Sequence, residues 1–228
     1  ASANCIDRHL KDKKDKTAII WVGDDPKDTQ KISYKQLHQK VSKAANGLKK
    51  LGIKKGDRVT IYLTMIPELA ILMLACARIG AIHSVVFGGF AAQELANRIT
   101  DSKPKIILSA SCGLESNRIL DYKKILDKAI SLSLHRPQNQ IIFQREELKV
   151  KLNNNGDLDW IKLMSDISCK TKDCVSLKSE DPLYILYTSG TTGVPKGIVR
   201  TNGGHAVALY NSMTMTYDMK KNDVFWAA

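Results

Sequence analysis

The sequence predicts an α/β fold in which layered, mainly parallel sheets are flanked by helices. The main observation is an alternation along residues 17–144 between short apolar segments rich in β-branched residues and amphipathic helical segments. That alternation is typical of parallel strands joined by crossover helices. The second observation is size, because 228 residues with 43% hydrophobic and 25% charged content are enough to bury a sizeable core.

The individual elements follow from local patterns. The predicted strands are residues 17–22, 58–63, 82–87, 105–109, 140–144, 183–187 and 223–226. A capping box formed by Ser33 and Gln36 starts the first long helix, and Gly52 ends it. A second helix begins at Pro67, is apolar on almost every side and closes at Gly80, so it should be buried. Further helices are predicted at residues 91–101, 122–134 and 203–217.

Residues 145–180 differ from the alternating pattern around them. This span is polar and contains a turn at Asn155-Gly156 and a short amphipathic piece at 160–167. We interpret it as a surface excursion before the strand at 183–187. No internal repeat or low-complexity tract divides the chain.

The chain is basic, with a formal net charge of +12 and a pI of about 9.4. Lysines outnumber arginines and are scattered, and no nucleic-acid-binding motif accompanies them. We therefore expect no nucleic-acid partner and assign most of the charge to solvated surface. Part of the excess would attract anionic ligands.

Cysteines and histidines predict neither a disulfide framework nor a metal site. The five cysteines are an odd number without a C-x-x-C pair, and the five histidines show no H-x-x-x-H spacing. The longest uncharged apolar run, residues 69–77, is far shorter than the ~20 residues of a membrane helix. We expect a protein of a reducing compartment without membrane association: the cytoplasm, or alternatively the mitochondrial matrix.

The segment YTSGTTGVPKG, residues 187–197, carries the strongest chemical signal. Its glycines permit close approach of backbone N–H groups to an anion, and its hydroxyls and lysine add donors and charge. It is not a Walker A loop, because Pro195 stands where that loop needs glycine and Gly197 where it needs Ser or Thr. On composition alone, a glycine- and threonine-rich hairpin turn remains an alternative.

This segment resembles the signature loop of the adenylate-forming enzymes, and the whole eleven-residue match is highly specific. The resemblance implies binding of ATP with Mg²⁺, the loop holding the β- and γ-phosphates. By position, the implied phosphate contacts are Thr188, Ser189, Gly190, Thr191, Thr192, Gly193 and Lys196.

Further segments are similar to the N-terminal half of the short-chain acyl-CoA synthetases, closest to the propionyl- and then the acetyl-CoA synthetases. They are NCIDRHL, AIIWVGDDP, KLGIKKGDRV, MIPELAILMLACARIGAIHSVVFGGF and YTSGTTGVPKG, in this order. Two of the places with functional weight are FGGF, residues 87–90, and GLESNR, residues 113–118. The resemblance implies coenzyme A contacts at Phe87, Gly88, Gly89, Glu115, Ser116, Asn117 and Arg118.

The GLESNR segment departs from the acetate enzymes, which carry an arginine where Glu115 stands. A glutamate facing a phosphate directly would repel it, whereas propionate enzymes often have a glutamate there. From the residues alone, the FGGF glycines fit a tight strand-to-helix turn, and Arg118 fits an exposed arginine at a helix start. Arg200 also matches the propionate enzymes, since acetate enzymes usually carry histidine at that position, and His205 replaces a commoner tyrosine.

The resemblance implies that residues 1–228 are the N-terminal portion of a larger AMP-forming enzyme. The acyl pocket, the adenine and ribose sites and a mobile domain with the catalytic lysine would lie beyond, so no catalytic residue is expected here and the chain alone should be inactive. Other adenylating enzymes and a non-catalytic basic nucleotide-binding module are the alternatives. Nothing in the sequence indicates the oligomeric state.

Overall fold

A computed structural model describes residues 1–115, 118–153, 156–168, 170, 173–188 and 195–226. Its strands are β1 (Thr17–Val22), β2 (Thr29–Ser33), β3 (Arg58–Tyr62), β4 (Ile82–Val85), β5 (Ile106–Ala110), β6 (Cys112–Glu115), β7 (Arg118–Asp121), β8 (Asn139–Phe143), β9 (Asp157–Asp159), β10 (Pro182–Thr188) and β11 (Lys196–Thr201). Its α-helices are α1 (Ser2–Cys5), α2 (Leu10–Lys13), α3 (Tyr34–Lys50), α4 (Pro67–Ile79), α5 (Ala92–Ser102), α6 (Tyr122–Leu132), α7 (Trp160–Ser165) and α8 (Asn202–Asn211). A 3₁₀ turn spans Asp7–His9, and a π-helical turn, Ser212–Thr216, follows α8.

Among the described residues, seven strands form the main sheet, in the order β11-β10-β4-β3-β5-β8-β9. Neighbours run parallel except for the antiparallel pair β10–β11. The hairpins β1–β2 and β6–β7 form separate two-stranded sheets. The predicted α/β fold with a mainly parallel sheet is confirmed.

The central strands β3 and β5 are the most deeply buried part of the sheet, since helices cover both of its faces. Helix α4 connects β3 to β4 in one direction along the sheet, and α5 connects β4 past β3 to β5 in the other. Because such crossovers are right-handed, helices of opposite direction lie on opposite faces. Helix α3 packs with α4, and α6 packs with α5.

The predicted boundaries of the first two long helices, α3 and α4, are confirmed at their caps. Ser33 Oγ accepts from the backbone N–H of Gln36 at 3.3 Å, and the Gln36 side chain accepts from the Ser33 N–H at 2.8 Å. Gly52 and Gly80 end α3 and α4 with φ of +80° and +74°, a region that glycine enters without strain.

The N-terminal segment is fixed to α4 by a partly buried ion pair. The Arg78 guanidinium, whose side chain is 2% exposed, donates twice to the Asp7 carboxylate at 2.8 Å. Burial raises the pKa of Asp7, but the hydrogen bonds and charge of Arg78 outweigh that effect and leave the pKa below its ordinary value.

The span 145–180 is only partly the surface excursion that we expected. Within it, β9 joins the main sheet beside β8, and Asp157 is buried and forms an ion pair with Lys123 at 3.0 Å. Met164 of α7 packs against α3 at Gly47. Apolar positions in a short, mostly polar segment gave too weak a periodic signal to indicate this burial.

Several other expectations were wrong. Residues 223–226 form no strand, and the strands β2, β6, β7 and β11 were not predicted. Arg118 begins β7 of a hairpin and does not start a helix. Helix α8 lies where a helix was predicted, but none of its residues is buried, and Val207 and Tyr210 are 62% and 70% exposed.

Candidate nucleotide and coenzyme A site

The strands β10 and β11 carry the two ends of the glycine-rich loop. Thr188 and Lys196 form the last register pair of this antiparallel ladder, and the residues 189–194 between them lie outside the described ranges. Five predicted contacts therefore lie outside the described residues and stay predictions: Ser189, Gly190, Thr191, Thr192 and Gly193. Lys196 is exposed and forms no ion pair within the described residues, so its ammonium group is available to an anion bound near its register partner Thr188.

Helix α5 supports the base of this loop. The Tyr187 hydroxyl donates to the Asp101 carboxylate at 2.5 Å. The Arg98 guanidinium lies over the Phe90 ring at 4.3 Å and over the Tyr187 ring at 5.5 Å. Glu94 forms an ion pair with Arg98 at 2.8 Å and fixes the guanidinium between the rings.

The FGGF segment follows β4 at the carboxyl edge of the sheet. Phe87 is 69% exposed and contacts the Phe90 ring edge-on at a centroid distance of 5.6 Å. The Tyr62 hydroxyl donates to the Gly88 carbonyl at 3.0 Å, which holds the turn against the sheet. A Cβ atom at Gly89 would overlap the Phe87 ring, so a side chain at this position would force the exposed ring to shift.

The GLESNR segment forms the β6–β7 hairpin directly after β5. Arg118 donates to the Glu115 carboxylate at 2.9 Å, and the two residues are register partners. Ser116 and Asn117, at the tip, lie outside the described residues. The expected repulsion from Glu115 is therefore offset, because its charge is directed at Arg118.

Tyr122 brings these two segments together, a contact that no local sequence pattern indicated. A Cβ atom at either Gly88 or Gly113 would overlap the Tyr122 ring or hydroxyl. The same ring stacks on Tyr62 at 4.8 Å, and burial raises the pKa of both phenols, which keeps them protonated. Tyr122 follows the helix cap Asp121, and an aromatic residue at this position of a sequence normally indicates an ordinary core residue.

All three segments follow the carboxyl ends of sheet strands, namely β10, β4 and β5. The connections leave β3 and β5 in opposite directions, so the sheet has a topological switch point there. In open α/β sheets, ligands bind at the carboxyl edge near such a point. The fold thus brings the predicted phosphate and coenzyme A segments to one edge.

A cavity of about 390 Å³ lies between α4, β4, β10 and α8, on the face opposite α5. His83 lies in its wall with a buried Nδ1 for which the described residues offer no hydrogen-bond partner, and the His205 Nδ1 is 3.2 Å from the Tyr184 hydroxyl. Burial, together with the charges of the N-terminus and Arg200, lowers the pKa of His205. Arg200 itself is exposed on β11 opposite Tyr184.

The described cysteines, Cys5, Cys76, Cys112 and Cys174, are free. In the described part of the chain, no three His, Cys, Asp or Glu side chains are grouped as metal ligands would be. Within the same ranges, none of the helices combines the length and the apolar character that crossing a bilayer requires.

The chain belongs to the family of AMP-binding enzymes, whose pattern it matches over residues 6–228. It is 49% identical over 229 residues to the mitochondrial acyl-CoA synthetase short-chain family member 3 of Mus musculus, covering 99% of this chain and 33% of that protein. It is 47% identical over 230 residues to an acetyl-coenzyme A synthetase of Serratia proteamaculans, covering 99% of this chain and 34% of that one.

The fold matches the structure of an acetoacetyl-CoA synthetase from Streptomyces lividans with a TM-score of 0.86 at 23% identity, over 97% of this chain and 33% of that one. At this identity, the likeness concerns the fold. The chain spans about a third of the length of the curated relatives that it matches.

Proposed function

We propose that the chain acts in an AMP-forming short-chain acyl-CoA synthetase, which converts a carboxylate, ATP and coenzyme A to acyl-CoA, AMP and pyrophosphate. The observation that carries this proposal is the meeting of three segments at one sheet edge: the hairpin ending in Thr188 and Lys196, the FGGF turn and the β6–β7 hairpin. A phosphate loop alone would suit many nucleotide-binding proteins, whereas these neighbours suit a second anionic substrate.

The loop would bind the β- and γ-phosphates of ATP. Lys196 is exposed and is the register partner of Thr188 at the end of β10, so its ammonium would supply a charge there, and backbone N–H groups of the glycine-rich residues would supply further donors. The proposed contacts are Thr188, Ser189, Gly190, Thr191, Thr192, Gly193 and Lys196. Mg²⁺ bound with ATP would share the charge of the departing pyrophosphate.

The FGGF turn and the β6–β7 hairpin would bind coenzyme A. Gly88 is buried against Tyr122 and fixes the turn, whereas Gly89 is exposed and would offer its backbone to the ligand. Arg118 commits one nitrogen to Glu115, and the rest of its N–H groups remain for a phosphate. The proposed contacts are Phe87, Gly88, Gly89, Glu115, Ser116, Asn117 and Arg118, with Glu115 orienting the guanidinium.

The proposed chemistry has two steps. A carboxylate oxygen attacks the α-phosphorus of ATP, and pyrophosphate leaves from an acyl-adenylate. The thiol sulfur of coenzyme A then attacks the acyl carbon, AMP leaves and the thiol proton is released. Such reactions depend on positioning and charge stabilisation, and losing one contact to the departing group costs on the order of 2–4 kcal/mol at the transition state.

We further propose that these 228 residues correspond to the N-terminal portion of the enzyme and form no thioester alone. The exposed apolar side chains of β11 and α8 and the one-third coverage of the relatives support this. Propionate is the proposed substrate and acetate the second candidate, because Glu115 and Arg200 both match the propionate enzymes. The proposed location is the cytoplasm, or alternatively the mitochondrial matrix.

Calorimetric titration of the chain with MgATP and with Mg-pyrophosphate tests the loop. Lys196→Ala should weaken pyrophosphate binding by about ten- to a hundredfold, because a charge-assisted hydrogen bond is lost. Lys40→Ala, an equal charge change at an exposed position of α3, is the matched control and should leave binding unchanged. Equal affinities for both variants would contradict the proposed role of the loop.

Two further measurements separate the alternatives. Propionyl-CoA formed by the purified chain would contradict its inactivity. If Arg118→Ala lowers the affinity for coenzyme A, the result favours a CoA ligase over other adenylating enzymes. If Lys196→Ala leaves ATP binding unchanged and the chain binds RNA in a salt-sensitive way, the results favour a basic binding module.

A further inference from the structure

The inner side of β10 has little sheet support near the loop. Its parallel pairing with β4 is limited to Tyr184 and His83, three residues before Tyr187. Beyond that point, the ladder partner of β10 is β11, which is exposed along almost its whole length. A hairpin paired on one side only is a weak base for a loop that must hold several N–H groups in register.

Helix α5 supplies contacts where the sheet does not. The Tyr187 hydroxyl donates to Asp101 at 2.5 Å, and the Tyr187 ring lies beside Arg98 at 5.5 Å. Burial and the neighbouring carboxylate of Asp101 raise the pKa of Tyr187, so the phenol stays a donor. Tyr187 directly precedes Thr188, hence these contacts act on the first residue of the proposed phosphate site.

Arg98 also contacts the other site. Its guanidinium, on a side chain only 7% exposed, lies 4.3 Å from the Phe90 ring centroid, and Phe90 packs edge-on against the exposed Phe87. A guanidinium can lie against two aromatic faces while a carboxylate such as Glu94 holds it in place. One buried cation therefore touches the base of the loop and the FGGF turn together.

We propose that Arg98 and Asp101 of α5 are positioning residues, which fix the end of β10 relative to the FGGF turn and thereby preorganise the glycine-rich loop. This inference rests on the proposed function, because it concerns how the same site is held. In this proposal, neither Arg98 nor Asp101 touches a substrate. Their effect passes through the ring and hydroxyl of Tyr187.

Two readouts on the full chain test this proposal. Hydrogen–deuterium exchange of peptides covering residues 183–200 reports how firmly the loop base is held, and calorimetry reports the affinity for Mg-pyrophosphate. Arg98→Met and Tyr187→Phe should speed exchange in these peptides about tenfold and weaken pyrophosphate about three- to tenfold, since a preorganising contact is lost. Arg98→Lys, which retains the charge, should recover part of both.

Arg58→Lys is the matched control. Arg58 donates to the Ser102 carbonyl at 2.8 Å and the Lys103 carbonyl at 3.3 Å, so it stabilises the end of α5 without touching either ring. It should lower the Tm but leave exchange at 183–200 and pyrophosphate affinity unchanged. This separates positioning from a general loss of stability.

The outcomes are distinct. The proposal is overturned if the peptides covering residues 183–200 exchange no faster in Arg98→Met and Tyr187→Phe than in Arg58→Lys. It is also overturned if exchange is faster in these two variants but their affinity for Mg-pyrophosphate is unchanged. If the unmodified chain does not bind pyrophosphate, the proposed function fails, and exchange alone then decides whether α5 holds the loop base.

Discussion

Acid should destabilise the chain through His83, and substitution of this residue should remove that sensitivity. His83 is 4% exposed on β4, and its Nδ1 has no hydrogen-bond partner in the described structure. Burial, and secondarily His205, lowers the pKa of His83 from 6.5 to about 4. As the pH falls below 6.5, the unfolded chain takes up a proton that the folded chain refuses, so stability is lost until the pH reaches the folded-state pKa.

The magnitude follows from the gap between the two pKa values. At pH 7.5, His83 is neutral in both states and contributes almost nothing. At pH 5.0, which is 1.5 units below the unfolded pKa and still above the folded one, the loss is about 2 kcal/mol at 1.36 kcal/mol per unit. The carboxylates whose pKa is lowered, such as Asp7, lose their contribution only at still lower pH.

The assay is urea unfolding at pH 7.5 and 5.0 for the unmodified chain and for His83→Leu. The free-energy difference between the two should shift by about 2 kcal/mol in favour of the variant at pH 5.0. Val85→Ala, on the same strand and in the same cavity wall, removes packing without removing a proton site and should give a constant difference. Parallel pH profiles for the unmodified chain and His83→Leu would refute the reasoning.

Three further outcomes are expected. Gly88→Ala should destabilise the chain by about 1–3 kcal/mol, because the added methyl overlaps Tyr122. Combining it with Tyr122→Leu should recover part of that loss, and urea unfolding midpoints measure both effects. Lys123→Met should cost about 3–5 kcal/mol by leaving buried Asp157 without its cation, and a second change, Asp157→Leu, should restore much of the loss in thermal melts. Asp7→Asn should destabilise at pH 7 and lose that effect as the pH falls through the lowered pKa of the native carboxyl, as chemical unfolding from pH 7 to 3 would reveal.

The sequence was a reliable guide where a local pattern decides the structure. The capping box at Ser33 and the glycines that end α3 and α4 act within a few residues, so the helix boundaries were predictable. The strand β9 depends on Asp157 meeting Lys123, a residue more than thirty positions earlier, and no local pattern reports such a pairing.

The candidate site divides in the same way. The motif residues Thr188, Lys196 and Arg118 were visible because their residue types and spacing match a family pattern. The contacts of Tyr122 with Gly88 and Gly113 join segments that are distant in sequence, and the only local signal was an aromatic residue after a cap. The contacts of Arg98 were equally invisible, since an arginine on an amphipathic helix reads as surface.

The exposed strand β11 has a consequence for how copies of the chain behave towards each other. It is the edge of the seven-stranded sheet, and Ile198 and Val199 are 38% and 53% exposed. An open edge with apolar side chains is a template for pairing with another copy, and the cationic Lys196 and Arg200 on the same strand oppose it by repulsion. Added salt shortens the reach of that repulsion, so colloidal stability should fall as ionic strength rises.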